Sequence, residues 1–223
     1  MNMTVLFVIA TILFFLILDW VVRRVRGTNR VPVQTKPAQT HYPVRAPGGI
    51  FFARSHTWLN LLPSGKLRLG IDDFIGRLLE TPEIILLKHE GEQVKRGEPI
   101  FSLVAGNKSL AVRSPIDGEI LGVNERLGTD PAAALEHLFS DGWGYTIRPS
   151  RVSQLKDLLL GPESKAWIGD EFRRMGDFLA GVGRTPGAEP IFLRDGGLPS
   201  PGILGKMKAA DWQEFEREFL QVQ

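Results

Sequence analysis

The sequence predicts a mainly β domain with helices, preceded by a membrane-spanning helix and followed by a helical extension. Three features carry that expectation. An apolar run lies near the start, short β-type runs alternate with glycine-rich turns in the middle, and two amphipathic stripes follow residue 161. The 223 residues include no Cys, which excludes a disulfide scaffold, a Cys-based zinc site, an iron–sulfur cluster and a thiol nucleophile. Hydrophobic residues at 43% and charged residues at 23% argue against wholesale disorder. A net charge of +2 gives no reason to expect a nucleic-acid partner.

Residues 4–22 read TVLFVIATILFFLILDWVV, with Asp19 the only charge. At roughly 1.5 Å per helical residue the run spans about 28 Å, close to a hydrocarbon core of about 30 Å. The start carries no basic residue and no small-residue cleavage site precedes the arginines, so an uncleaved anchor is expected at 1–22. Arg23, Arg24, Arg26, Arg30, Lys36 and Arg45 follow without any acid up to residue 50. Basic residues flanking a span stay on the cytoplasmic side, so an inner or plasma membrane location with residues 23–223 cytoplasmic is expected. Pro32, Pro37, Pro43 and Pro47 break any periodicity across 23–49, which reads as a tether.

From residue 50 to 150 the balance turns slightly acidic, eleven basic against thirteen acidic residues. The runs LRLGI (67–71), EIILL (83–87), PIFSLV (99–104), LAVR (110–113), GEILGV (118–123) and YTIRP (145–149) predict hairpin-connected strands. One short helix is expected over 72–79, opened by Asp72 and Asp73, and another over 131–138.

The order of several motifs in this stretch resembles the H protein of the glycine cleavage system, a relative of lipoyl and biotinyl domains. His56-x-Trp58 comes first, then Gly70-Ile71-x-Asp73-Phe74, then Gly91-Glu92-x-Val94-x-x-Gly97-Glu98. Ser114-Pro115-x-x-Gly118-Glu119-Ile120, Val123-Asn124, Gly142-Trp143 and Ile147-Arg148-Pro149-Ser150 follow in register. Ser153-x-Leu155-x-x-Leu158-Leu159 fits the helix that follows in those proteins. The resemblance implies a lipoyl-type flattened barrel or sandwich of two antiparallel sheets over 50–160, with a hairpin that presents the prosthetic group. It leaves 161–223 as a separate extension.

In that family the hairpin carries a lysine acylated by lipoic acid, with a glutamate three residues before it. The family spacing puts the lysine ten residues after the equivalent of Gly97 and eight before the equivalent of Pro115. Both counts fall on Asn107. Lys108 stands one position away, and Val104 or Ala105 occupies the glutamate position. Gly106-Asn107 is also a two-residue hairpin signal, which places Lys108 at the start of the return strand. Two readings stay open: a domain without lipoate or any other cofactor, and a carrier lipoylated at the offset Lys108. Nothing resembles the surround of a biotin acceptor.

The histidines at 41, 56, 89 and 137 show no metal-ligand spacing, and no phosphate loop or nucleophile elbow appears. Asp72 and Asp73 read as helix-capping acids rather than an acid–base pair. In the extension, Trp167, Ile168, Phe172, Met175 and Leu179 form a stripe over 165–180, and Gly181 to Gly202 reads as loop. A last helix is expected from Asp211, with Glu214 completing a capping box and Trp212, Phe215, Phe219 and Leu220 on its apolar face. These stripes either cover the β domain or receive a partner.

No catalytic constellation is present, so the chain reads as a non-enzymatic docking or assembly module whose partners are proteins at the membrane. The alternative is a membrane-tethered lipoyl carrier, modified at Lys108, that shuttles aminomethyl groups or reducing equivalents between enzymes. An exported adaptor of efflux systems fits poorly, because its lipoyl halves are split by a long helical hairpin where this chain has only a tight turn.

Overall fold

The computed structural model describes residues 45–79, 82–182, 193–194 and 198–220, with Met3 and Leu13 placed singly. Among the described residues no helix is long and apolar enough to cross a membrane. The anchor expected at 1–22 lies outside them apart from Met3 and Leu13, as does the tether before residue 45.

Two antiparallel sheets form the body. The larger has strand order β10-β1-β2-β3-β9-β8-β5, built from β1 (Ile50–Ala53), β2 (Thr57–Leu61), β3 (Leu67–Ile71), β5 (Gln93–Val94), β8 (Gly118–Val123), β9 (Trp143–Pro149) and β10 (Leu159–Leu160). The smaller is β4 (Glu83–Leu86), β6 (Pro99–Ala105) and β7 (Lys108–Arg113), in the order β4-β6-β7. Alternation sets the inward face of the small sheet: Ile84, Phe101, Leu103, Leu110 and Val112 are buried, while Ile85, Ser102, Val104 and Ala111 face outward. Phe101 meets Tyr145 of the large sheet at a centroid distance of 5.1 Å, which ties the two layers together.

Helix α1 (Asp73–Leu79) begins where Asp72 Oδ1 accepts from the backbone N–H groups of Phe74 and Ile75 at 3.1 and 3.2 Å. The capping role expected for Asp72 is therefore met, and it satisfies donors the helix start leaves open. Asp73 is buried and held by Arg45 at 2.8 Å and Arg77 at 2.7 Å. Helices α2 (Arg126–Thr129) and α3 (Pro131–Glu136) follow β8. The first was not anticipated. The second starts on Asp130, whose side chain accepts from the Ala133 N–H.

Two expectations need correcting. The helix the resemblance implied over 153–159 is met only in part and as a 3₁₀ helix. Val152–Asp157 makes a short 3₁₀ turn and Leu159–Leu160 pairs with β1, opposite Phe52 and Phe51. The last helix starts earlier than Asp211 and without a capping box: α6 is Ala209–Phe219, its N-cap is Lys208, and no side chain caps it. Glu214 pairs with Arg217 instead.

Helix α4 (Pro162–Val182) begins three residues before the expected start, on a proline suited to a first helical turn. Strands β11 (Leu193–Arg194) and β12 (Leu198–Pro199) pair within the segment read as loop, and α5 (Ile203–Lys206) precedes α6. Both apolar stripes are spent on packing: Trp167, Ile168, Phe172, Met175 and Leu179 are buried, as are Trp212, Phe215, Phe219 and Leu220. They join one continuous core with the β body. Phe74 is the hub, within 5.0 Å of Phe172 and 5.7 Å of Phe219.

Candidate functional site

The hairpin of β6 and β7 is fixed firmly at its base. The Gly97 N–H donates to the Ser114 carbonyl at 2.8 Å and the Ser114 N–H returns a bond to the Glu98 carbonyl at 2.9 Å. The Tyr145 hydroxyl donates to the Ile100 carbonyl at 2.7 Å and accepts from the Lys88 N–H at 3.0 Å. Burial pushes that phenol up to about 12, so it stays a neutral donor. The Lys88 ammonium hydrogen-bonds the Glu98 carboxylate, which raises the lysine pKa and lowers that of the glutamate.

At the other end, Ala105 pairs with Lys108 across a two-residue turn. Gly106 adopts φ +64° and Asn107 does not take positive φ, the arrangement of a turn with glycine at its first central position. Asn107 is exposed at the tip. Its side chain is an amide and offers no nucleophilic amine.

Lys108 opens the return strand but does not project freely. Its Nζ donates to the Gly205 carbonyl at 2.8 Å and to the Met207 carbonyl at 2.5 Å, and lies 4.9 Å from the Trp212 ring centroid. The carbonyls at the end of α5 have no helical partner beyond them, and the ring face attracts a cation. Trp212 is in turn fixed, because its Nε1–H donates to the Ser109 carbonyl on β7 at 2.9 Å. Burial lowers the pKa of the Lys108 amine. Sequence reading gave Trp212 only as part of an apolar stripe and assigned no role to Gly205 or Met207. Their partners lie about a hundred residues away, and no local pattern carries that distance.

The other conspicuous polar group is structural. His56 is fully buried at φ +58°, its Nδ1 2.8 Å from Asp72 Oδ2. Its ring stacks between Phe74 at 4.3 Å and Trp167 at 5.0 Å, and Nε2 lies 3.9 Å from Glu171. It thus joins the start of α1 to α4, with no opening for a substrate. No group of three metal-binding side chains occurs among the described residues.

The glycine cleavage H-protein family profile matches residues 50–170. The chain belongs to the glycine cleavage H-protein family. A glycine cleavage system H protein of Coprothermobacter proteolyticus is 31% identical over 122 residues, 55% of this chain and 96% of that protein. The corresponding protein of Stenotrophomonas maltophilia is 31% identical over 113 residues, 51% of this chain and 86% of that protein. The solved glycine cleavage system H protein of Mycobacterium marinum is similar over 56% of this chain and 99% of its own, at 24% identity and a TM-score of 0.47.

Lipoate is the group this family carries, and the hairpin does not fit it as arranged. The tip holds an amide where an amine is needed, and the neighbouring amine is already bound by two carbonyls and an indole face. Everything that binds it comes from residues 205–212, beyond the matched region.

Proposed function

We propose that this chain is an unlipoylated H-protein-like module that acts without catalysis of its own, docking or assembling protein partners at the inner or plasma membrane. The observation that carries the reading is the state of Lys108, the lysine next to the family attachment position, whose amine donates to the Gly205 and Met207 carbonyls. Acylation needs a free, neutral amine at a reachable tip, and the tip residue is Asn107. A carrier fold that lacks this group can still present the same surface to proteins. The apolar run at 4–22 and the arginines that follow it support a single-pass anchor, with residues 23–223 on the cytoplasmic side.

Incubation of the purified full chain with a lipoate ligase, lipoate and ATP tests this, with a glycine cleavage H protein as the positive control. The expected result is no mass gain on the wild-type chain. One lipoyl group should be gained by Asn107→Lys, or by Val104→Glu with Asn107→Lys where the ligase also needs the glutamate. Lipoylation of the wild type at Lys108 would overturn the reading in favour of a tethered carrier.

A further inference from the structure

A lysine amine that meets two backbone carbonyls and a tryptophan face is bound as an ammonium ion. Lys108 Nζ spends two of its three N–H donors on Gly205 and Met207, and its charge lies beside Trp212. An acylated Nζ would keep one N–H and no charge, so this seat accepts only the unmodified side chain. The same turn of chain also covers the edge of β7 that β6 leaves unpaired, through the bond from Trp212 to Ser109. An unpaired strand edge is a template on which a further chain can pair.

Seat and hairpin come from different parts of the molecule. The hairpin lies within the family match at 50–170, whereas α5 and α6 lie outside it. Their docking is built rather than incidental. The Gly202 N–H donates to the Arg77 carbonyl of α1 at 3.1 Å, Trp212 is 2% exposed, and Phe215 and Phe219 stack near Phe74.

We infer that residues 201–220 form an internal clasp on the β6–β7 hairpin, anchored on the Lys108 ammonium, which closes that amine and the β7 edge to acyl donors and partner chains while it is seated. This rests on the reading of β6–β7 as the family's carrier hairpin. Because the seat discriminates charged from acylated lysine, seating of the clasp and modification of Lys108 oppose each other.

Brief treatment of the full-length chain with acetic anhydride reads the clasp directly. The amine attacks the anhydride carbonyl, an amide forms, acetate leaves, and the released proton goes to solvent. Lowering of the Lys108 pKa by burial would by itself favour reaction, so slow labelling reports closure. Lys108 should label at least about tenfold more slowly than the exposed Lys66 and Lys156. Trp212→Ala should bring it to within about twofold of them. Wild-type Lys108 that labels as fast as Lys66 would overturn the clasp.

If Trp212→Ala unfolds the extension, Lys108→Gln supplies the second measurement. Hydrogen exchange across 209–219 should accelerate at least about tenfold, with 67–104 unchanged. Unchanged exchange across 209–219 would remove Lys108 as the anchor. Ligase modification of the wild type contradicts the proposed function, whereas fast acetylation of a chain the ligase leaves unmodified contradicts the clasp alone.

Discussion

Lys88 and Glu98 link the start of the hairpin to the loop before β5, and their ionisation sets two limits on its stability. The hydrogen bond from Lys88, followed by the Lys95 backbone N–H, holds Glu98 below its ordinary value of 4.5. A depressed carboxylate stabilises the fold above its unfolded value, and that contribution is lost as pH falls through the folded one. Asp117, held below 3.8 chiefly by the Arg96 N–H and then by Arg151, acts in the same direction. Lys88 is raised above 10.5 by the same Glu98 bond, so its contribution is complete below that value and disappears at higher pH. Glu98→Gln should therefore flatten the acid side of a plot of Tm against pH below about 4.5. Equal slopes for the two chains would show that the pair carries no such coupling. At this scale the sequence was legible where counting sufficed. Two spacings placed Asn107 at the tip, and the turn forms there. It put Lys108 at the start of the return strand, where β7 begins, but was silent on what binds its amine, because the carbonyls of Gly205 and Met207 belong to the backbone and leave no trace in residue identity.

Strand and helix positions were legible wherever a period was clean. LRLGI and GEILGV form β3 and β8 with the expected ends, and of the two acids before Phe74, Asp72 caps α1 while Asp73 pairs with Arg45 and Arg77. Strands β1 and β2 carried no usable alternation, because Thr57, Trp58 and Leu59 are buried in succession and both faces of β2 are covered. The helix start at Asp211 failed for a related reason. Packing of Trp212, Phe215 and Phe219 holds α6, so its first residues need no side-chain cap. Gly142-Trp143, read as a family motif, has a steric cause. A Cβ on Gly142 would lie 2.6 Å from the Ala134 carbonyl in α3 and 2.7 Å from that of Leu138 just beyond it, both backbone atoms. Gly142→Ala should cost about 2–3 kcal/mol and lower the urea midpoint. Gly48→Ala, where nothing lies within 4 Å, should leave it nearly unchanged. Equal midpoints would mean that the α3–β9 turn shifts freely.

At the scale of the whole molecule, the family part and the extension do different work. The matched region 50–170 supplies both sheets, the rigid hairpin base and the exposed tip. The extension supplies α5, α6 and most of α4, which fill the aromatic core around Phe74 and bind the one lysine beside the family attachment position. The fold of such a carrier was readable from motif order, but the docking of the extension was not, since either use of its apolar stripes fits the same pattern. Together with the basic residues after the apolar run at 4–22, this arrangement supports the proposed reading of a membrane-held module whose hairpin is kept for its shape. The most direct test of that account is the intact mass of the chain purified from its own lipoate-replete host, with a peptide map across residues 97–126. The account predicts an unmodified chain and an unmodified Lys108 while other lipoyl proteins of the same cells carry their group. One lipoyl group on Lys108, abolished by Lys108→Arg, would contradict it.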